Sequence, residues 1–132
     1  MILLYFTLVF GVLEFGRAYN EYHVITNAAR EAARYSVAPC SYNVAMCGMA
    51  ASGQMMDKRA VENVVKSYLL SANIDPAGTN VAVNVQQTET AALNGVQVNY
   101  THVHVEAPYS FFFLPFEPVT LKTDAVMRNE NN

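Results

Sequence analysis

Residues 1–13 (MILLYFTLVFGVL) carry no charge, and the charged positions begin only at Glu14. From residue 1 to Ser36 there is no proline, the charges fall at helical spacings, and alanine recurs at positions 28, 29, 32 and 33. This pattern predicts one long helix, stopped by Pro39. Its second half has a stripe of Tyr22, Ile25, Ala29 and Ala32 or Ala33, whose small side chains let another element pack closely. In its first half the apolar residues go all round the cylinder, more than a single soluble domain can cover, so this half must be buried in lipid or in other protein chains. Met1, Ile2, Leu3, Leu4, Tyr5, Phe6, Leu8, Val9, Phe10, Val12 and Leu13 are therefore the expected packing surface between subunits. Gly11 and Gly16 each weaken this stretch by about 1 kcal/mol relative to alanine, which makes it the easiest place for the helix to stretch or bend.

Residues 40–56 read as irregular. Beyond them Val61, Val64, Val65, Tyr68, Leu69 and Ala72 share one face of a second helix of about four turns, with Asp57 as its expected N-cap. Asp75, Pro76 and Gly78 lie in a turn cluster over residues 73–80 that ends it. The period then changes to two: Val81, Val83 and Val85 alternate with Ala82, Asn84 and Gln86, as in a strand with one buried face. After a turn at Asn94-Gly95, Val96, Val98 and Tyr100 occupy one parity while Val103 and Val105 occupy the other. Either a bulge sits near Thr101 or both faces are covered in turn. A last strand, roughly residues 119–127, completes an antiparallel meander of three strands. The expected fold is α+β: a long N-terminal helix packed by its second half (17–36) on a small three-stranded sheet, with a short second helix. The expected organisation is an N-terminal helix, 1–36, and a globular head, 37–132.

The chain has 132 residues, 52% of them hydrophobic, enough for one domain with a real core. Its net charge of −3 and its eight scattered basic residues offer no cationic patch for a phosphate backbone, so nucleic-acid binding is not expected. A helix of residues 1–13 is about 20 Å long, short of the roughly 30 Å hydrocarbon thickness of a bilayer. Neither the basic start nor the small-residue cleavage site of a secretory signal flanks it. Three readings stay open: a membrane helix trimmed at its start, a processed product whose leader has gone, or a helix end buried by neighbouring copies. Cys40 and Cys47, in a stretch without other metal ligands, read as a disulfide that closes a small loop and adds roughly 2–3 kcal/mol in an oxidising compartment. Two free buried thiols are the alternative.

Several residues invite a chemical role. Glu14 is the first charge after the apolar run, and a carboxylate there is costly unless paired. Its partner is Arg17 on the same helix or a group on an adjacent subunit. Arg17 also lies four residues from Glu21, and Glu31 three from Arg34. Arg30 and Arg34 share a helix face, which is either solvated or set against an acidic patch on a neighbour or on the sheet. His102, His104 and Glu106 alternate on one strand face, where side chains point in parallel instead of converging, so no metal is expected. Asn99 opens a glycan acceptor pattern, Asn-Tyr-Thr. Residues 108–118 hold Tyr109, Phe111, Phe112, Phe113 and Phe116 in a proline-bounded segment too apolar for an ordinary exposed loop. It either folds back over the core or docks on another subunit, and docking is the expectation, because the core already has valine, leucine and tyrosine enough. No phosphate-binding loop, nucleophile-histidine-acid set or isolated carboxylate pair is visible, so neither enzyme activity nor a cofactor is expected.

The stretch LVFGVLEFGRAYNEYHVITNAAREAARYSV, residues 8–37, resembles the signature helix of TadE-like pilins of tight-adherence (Flp-type) pilus systems, in which a hydrophobic run passes through E-F-G-R into N-A-A-R-E-A/G-A-R-Y. The tail TLKTDAVMRNE, residues 120–130, is similar to the closing strand of that family. One departure is that the fifth residue is Tyr5, where pilins in general place a glutamate. The resemblance implies a leader removed by a prepilin peptidase, retention in the inner membrane through the apolar helix, and incorporation into or beneath a pilus. The implied function is a structural subunit of an extracellular, cell-surface filament. Its partners would be copies of itself in a helical homopolymer, together with other pilins and an assembly platform. A membrane-anchored accessory protein that primes or caps the pilus, and an adhesin-like module binding through the aromatic segment or the histidine strand, are the alternatives.

Overall fold

A computed structural model of the chain describes residues 1–37, 57–77, 80–93, 96–112 and 117–128. Its elements are α1 (Ile2–Val37), α2 (Lys58–Ser71), β1 (Ala82–Leu93), β2 (Val96–Tyr109) and β3 (Val119–Arg128). The three strands form an antiparallel sheet in the order β1-β2-β3, so the α+β arrangement of long helix, short helix and meander is present as expected.

Helix α1 runs unbroken through 36 residues, about 54 Å at 1.5 Å per residue. The hydroxyls of Thr7 and Thr26 donate back to the carbonyls of Leu3 and Tyr22, 2.9 and 2.8 Å away, so these polar side chains leave nothing unsatisfied on the helix surface. The second half of the helix lies across β2 and β3 and against α2. Ile25, Ala28, Ala29, Ala32 and Ala33 are buried at that seam with Val61, Val65 and Leu69 of α2 and Val85, Val103, Val105, Ala107 and Ala125 of the sheet. Alanine dominates the α1 side because a helix wedged against both a sheet and a second helix has no room for longer side chains. Tyr22, placed in this stripe by its spacing, is instead 40% exposed, and Ala28 takes the inward position.

Helix α2 starts at Asp57 without the expected side-chain cap. The Asp57 carbonyl accepts from the N–H groups of Ala60 and Val61 at 2.9 and 3.2 Å. Beyond α2 the chain reverses through Asn73, which takes a left-handed backbone conformation at φ 62°, and an Asp75 carboxylate that accepts the Ala77 N–H at 3.0 Å. The parity conflict in β2 resolves in both ways at once. The extra residue lies in β1, where the register slips between Gln86 and Glu89 opposite Thr101. Because β2 itself runs regularly, Val98 and Val103 point to opposite faces, and both are buried. Val103 belongs to the main core and Val98 does not.

Candidate functional site

Where the apolar half of α1 meets the head, the helix carries a carboxylate that water does not reach. Glu14 is 2% exposed, although the residues on either side of it, Leu13 and Phe15, are 60% and 72% exposed. The partners that make this burial tolerable come from the end of β2 and the residues that follow. Tyr109 is the last member of the inward row Val103, Val105, Ala107, Tyr109, and its ring is buried. Its hydroxyl donates to Glu14 Oε1 at 2.8 Å, and the backbone N–H of Phe112 donates to the same oxygen at 3.0 Å. Arg17, one turn along the helix, brings Nη2 to 3.5 Å from Glu14 Oε1. Its Nε donates to the Tyr109 hydroxyl at 3.0 Å and its Nη2 to the Ser110 carbonyl at 2.9 Å. The guanidinium also lies over the Tyr109 ring, 5.1 Å from the centroid, and the Phe111 ring meets that of Tyr109 edge-on at 5.2 Å. Burial, and donation to Glu14, hold the Tyr109 hydroxyl above its ordinary range, so it keeps its proton and goes on donating.

Of the two partners anticipated for Glu14, the intrahelical Arg17 is present as an ion pair, while the hydrogen bonds to the carboxylate come from Tyr109 and Phe112 of the head. Arg17 reaches Glu21 as well, at 4.0 Å. The start of the aromatic segment lies against its own chain: Tyr109 belongs to the inward row of β2, and Phe112 binds Glu14 through its backbone while its side chain stays 76% exposed. Two sequence signals for this clamp were available, the continued alternation from Val103 to Tyr109 and the isolation of Glu14. What spacing could not reveal is that they meet across 95 residues of chain. Phe113 and Phe116 lie outside the described residues, as do Cys40 and Cys47. Asn99 sits within β2 opposite Thr90, half-buried. Beside the clamp a 290 Å³ recess is lined by Gly11, Phe15, Ala18, Phe111, Val119 and Leu121, so the joint between apolar helix and head is itself largely apolar.

Beyond the clamp, Met1, Ile2, Leu3, Leu4, Tyr5, Phe6, Leu8, Val12 and Leu13 are all exposed, from 54% to 107%, and Val9 and Phe10 are half-buried. Helix α1 is long and apolar enough to cross a membrane by length and composition.

A second polar cluster decorates the outer face of the sheet. His104 meets Asp124 through Nδ1 at 2.5 Å and Glu106 through Nε2 at 3.0 Å, while Lys122 reaches Glu106 at 2.6 Å and His102 lies 3.5 Å from Asp124. The histidines thus pair with carboxylates instead of converging, and no metal-ligand group occurs among the described residues. With a carboxylate at each ring nitrogen, both nitrogens of His104 must donate, which only the imidazolium does. The two carboxylates, Glu106 above all, accordingly hold His104 above its usual range, and His104 followed by Lys122 holds Glu106 below the usual carboxylate range. A raised histidine pKa stabilises the fold fully below its unfolded value of 6.5, and that contribution fades as pH rises through the folded value. The lowered Glu106 contributes above its unfolded value of 4.5 and fades as pH falls through its folded value. Thermal melts between pH 5 and 9 (roughly the histidine range) are therefore expected to show the midpoint falling above about pH 6.5, and H104Q is expected to flatten that slope.

Taken together, the described residues form an α+β head set on a long helix whose first half is apolar and largely exposed. The comparison with families agrees with this at the helix. The model of the family described as TadE-like protein matches residues 1–34, which is consistent with a TadE-like, pilin-related protein and suggests association with the Tad pilus and with a membrane or surface. The match includes Glu14 and Arg17 and ends before the head. No curated protein and no solved structure matches the chain.

Proposed function

We propose that the protein is a structural subunit of an extracellular pilus-like filament, held in the inner membrane before assembly and packed afterwards, through residues 1–13, against copies of itself in a helical homopolymer. Other pilins and an assembly platform are the further partners of this reading, and catalysis has no part in it. Residues 17–36 serve the head and residues 1–13 serve the assembly. The observation that carries the proposal is the abrupt change at Glu14: an apolar rod about 20 Å long, exposed over most of its surface, ends at a carboxylate that the head has already satisfied. A head that needed Glu14 for a neighbour would leave it open, whereas this one neutralises it internally, so contact between copies falls to the apolar side chains. Burying each such leucine, valine or phenylalanine is worth about 1.5–3 kcal/mol, and the eight of them in residues 1–13 outweigh any surface ion pair.

The accessory-protein reading is favoured by a different observation, that α1 has the length and composition of a membrane-crossing helix and so serves a permanently anchored protein equally well. Mass spectrometry of sheared surface filaments separates the two. As the bulk subunit the chain dominates the preparation; as an accessory protein it is scarce there and stays with the membrane fraction.

A further inference from the structure

At the end of the head away from the clamp, a 520 Å³ recess lies between α1 and β3, with Tyr68 of α2 beside it. One wall is built from Asn27, Arg30 and Arg34 and the other from residues 124–127 of β3. Consecutive strand residues point to opposite faces, so four in a row line one recess only where the strand presents its edge. Among the described residues that edge is unpaired: β3 pairs with β2, and no described strand lies beyond it. Exposed edges are commonly blunted by proline, lysine or a bulge, and the sequence Asp124, Ala125, Val126, Met127 has none of these, its pairing with β2 being regular throughout.

The opposite wall supplies charge. Arg30 and Arg34 are both exposed, one turn apart on α1, and neither has a hydrogen bond or ion pair among the described residues. The Glu31–Arg34 pairing that their spacing allows does not form there. Two acidic residues also border the recess, but the Asp124 carboxylate is engaged by His104 on the outer face of the sheet, which leaves Glu31 against two arginines. The dimensions of the walls agree as well. The helix rises about 6 Å from Arg30 to Arg34, and same-face residues of an extended chain are roughly 6.6 Å apart. A strand laid along the edge of β3 therefore brings side chains two residues apart to the two guanidinium groups.

We propose that this recess is a strand-addition site for an extended segment of another polypeptide carrying carboxylates two residues apart, its backbone pairing with residues 124–127 and its acidic side chains with Arg30 and Arg34. The site does not depend on polymerisation through residues 1–13. The test uses the full chain, isotopically labelled, in detergent micelles, and titrates it with a blocked peptide of alternating valine and glutamate. The expected result is saturable amide shifts centred on residues 124–127, affinity reduced about tenfold or more in R30Q/R34Q, and no binding of the same peptide with lysine in place of glutamate. Both arginines are exposed and unpartnered, so the variant is expected to melt like the parent. The proposal is overturned by the absence of binding, by equal binding of the lysine peptide, by undiminished binding to the double variant, or by inorganic phosphate reproducing the same shifts, which would mark a simple anion site.

Discussion

Replacing Glu14 by alanine is expected to destabilise the protein by about 3 kcal/mol, which lowers its melting midpoint by roughly 10 °C. The size follows from what the substitution strands. The Tyr109 hydroxyl loses its nearer acceptor and keeps only the Glu14 carbonyl at 3.3 Å, the part-buried Phe112 N–H loses the carboxylate, and the Arg17 guanidinium loses its nearest carboxylate while keeping the Tyr109 hydroxyl and the Ser110 carbonyl. An unsatisfied buried donor costs about 1–3 kcal/mol, so the two from the head carry most of the effect. Y109F removes one of these donors together with the acceptor of Arg17 Nε and is expected to cost less. Since Glu14 and Tyr109 act on each other, E14A/Y109F should fall short of the summed single effects by at least about 0.5 kcal/mol, measured by chemical or thermal denaturation in micelles. A Glu14 variant that melts with the parent would show that the clamp does not hold the head to the helix.

The clamp also marks the limit of what the chain reveals when read as a string. Periodicity located α1, α2 and the three strands because each buries a face whose apolar positions repeat at 3.6 or 2 residues. The exceptions arise where a second neighbour intervenes. Tyr22 has the right spacing for the core, but the close approach of α2 and the sheet leaves room there for alanine, and Ala28 occupies the inward position. The bulge was expected near Thr101 from the valines of β2, yet the extra residue is across the ladder in β1, whose own pattern of Gln, Thr and Glu gives no apolar marker of it. The aromatic segment was legible from composition, which counts the rings without their directions. Tyr109 continues the inward parity of β2, and the backbone just beyond it turns onto α1 because Glu14 needs its N–H. Arg30 and Arg34 were legible as a pair on one face, but the strand edge they border was not, since an edge is a property of sheet order.

The rod yields the other large effect. Leu4 and Leu8 lie one turn apart on α1 and are 69% and 60% exposed, touching too little of their own chain to matter for its folding. L4D/L8D is therefore expected to leave the melting midpoint of the head within about 2 °C of the parent, as surface substitutions usually do. Assembly should respond in the opposite way. Each aspartate placed in lipid costs about 2.5–3.5 kcal/mol at the centre of a membrane helix, and between packed apolar helices an unpaired charge is no cheaper. Two of them oppose burial by roughly 5–7 kcal/mol, more than a thousandfold in the equilibrium between buried and free rods. The variant should leave the filament and membrane fractions for the soluble one, read by immunoblot after shearing and ultracentrifugation. Gly11 tells the two kinds of burial apart, because a Cβ added there meets nothing within 4 Å in the isolated chain. Gly11→Leu, extending an already apolar surface, should leave membrane retention intact, since lipid tails rearrange around an extra side chain. Closely packed copies cannot, and filament yield should fall, whereas filaments at parental yield would place the contact between copies on another part of the rod.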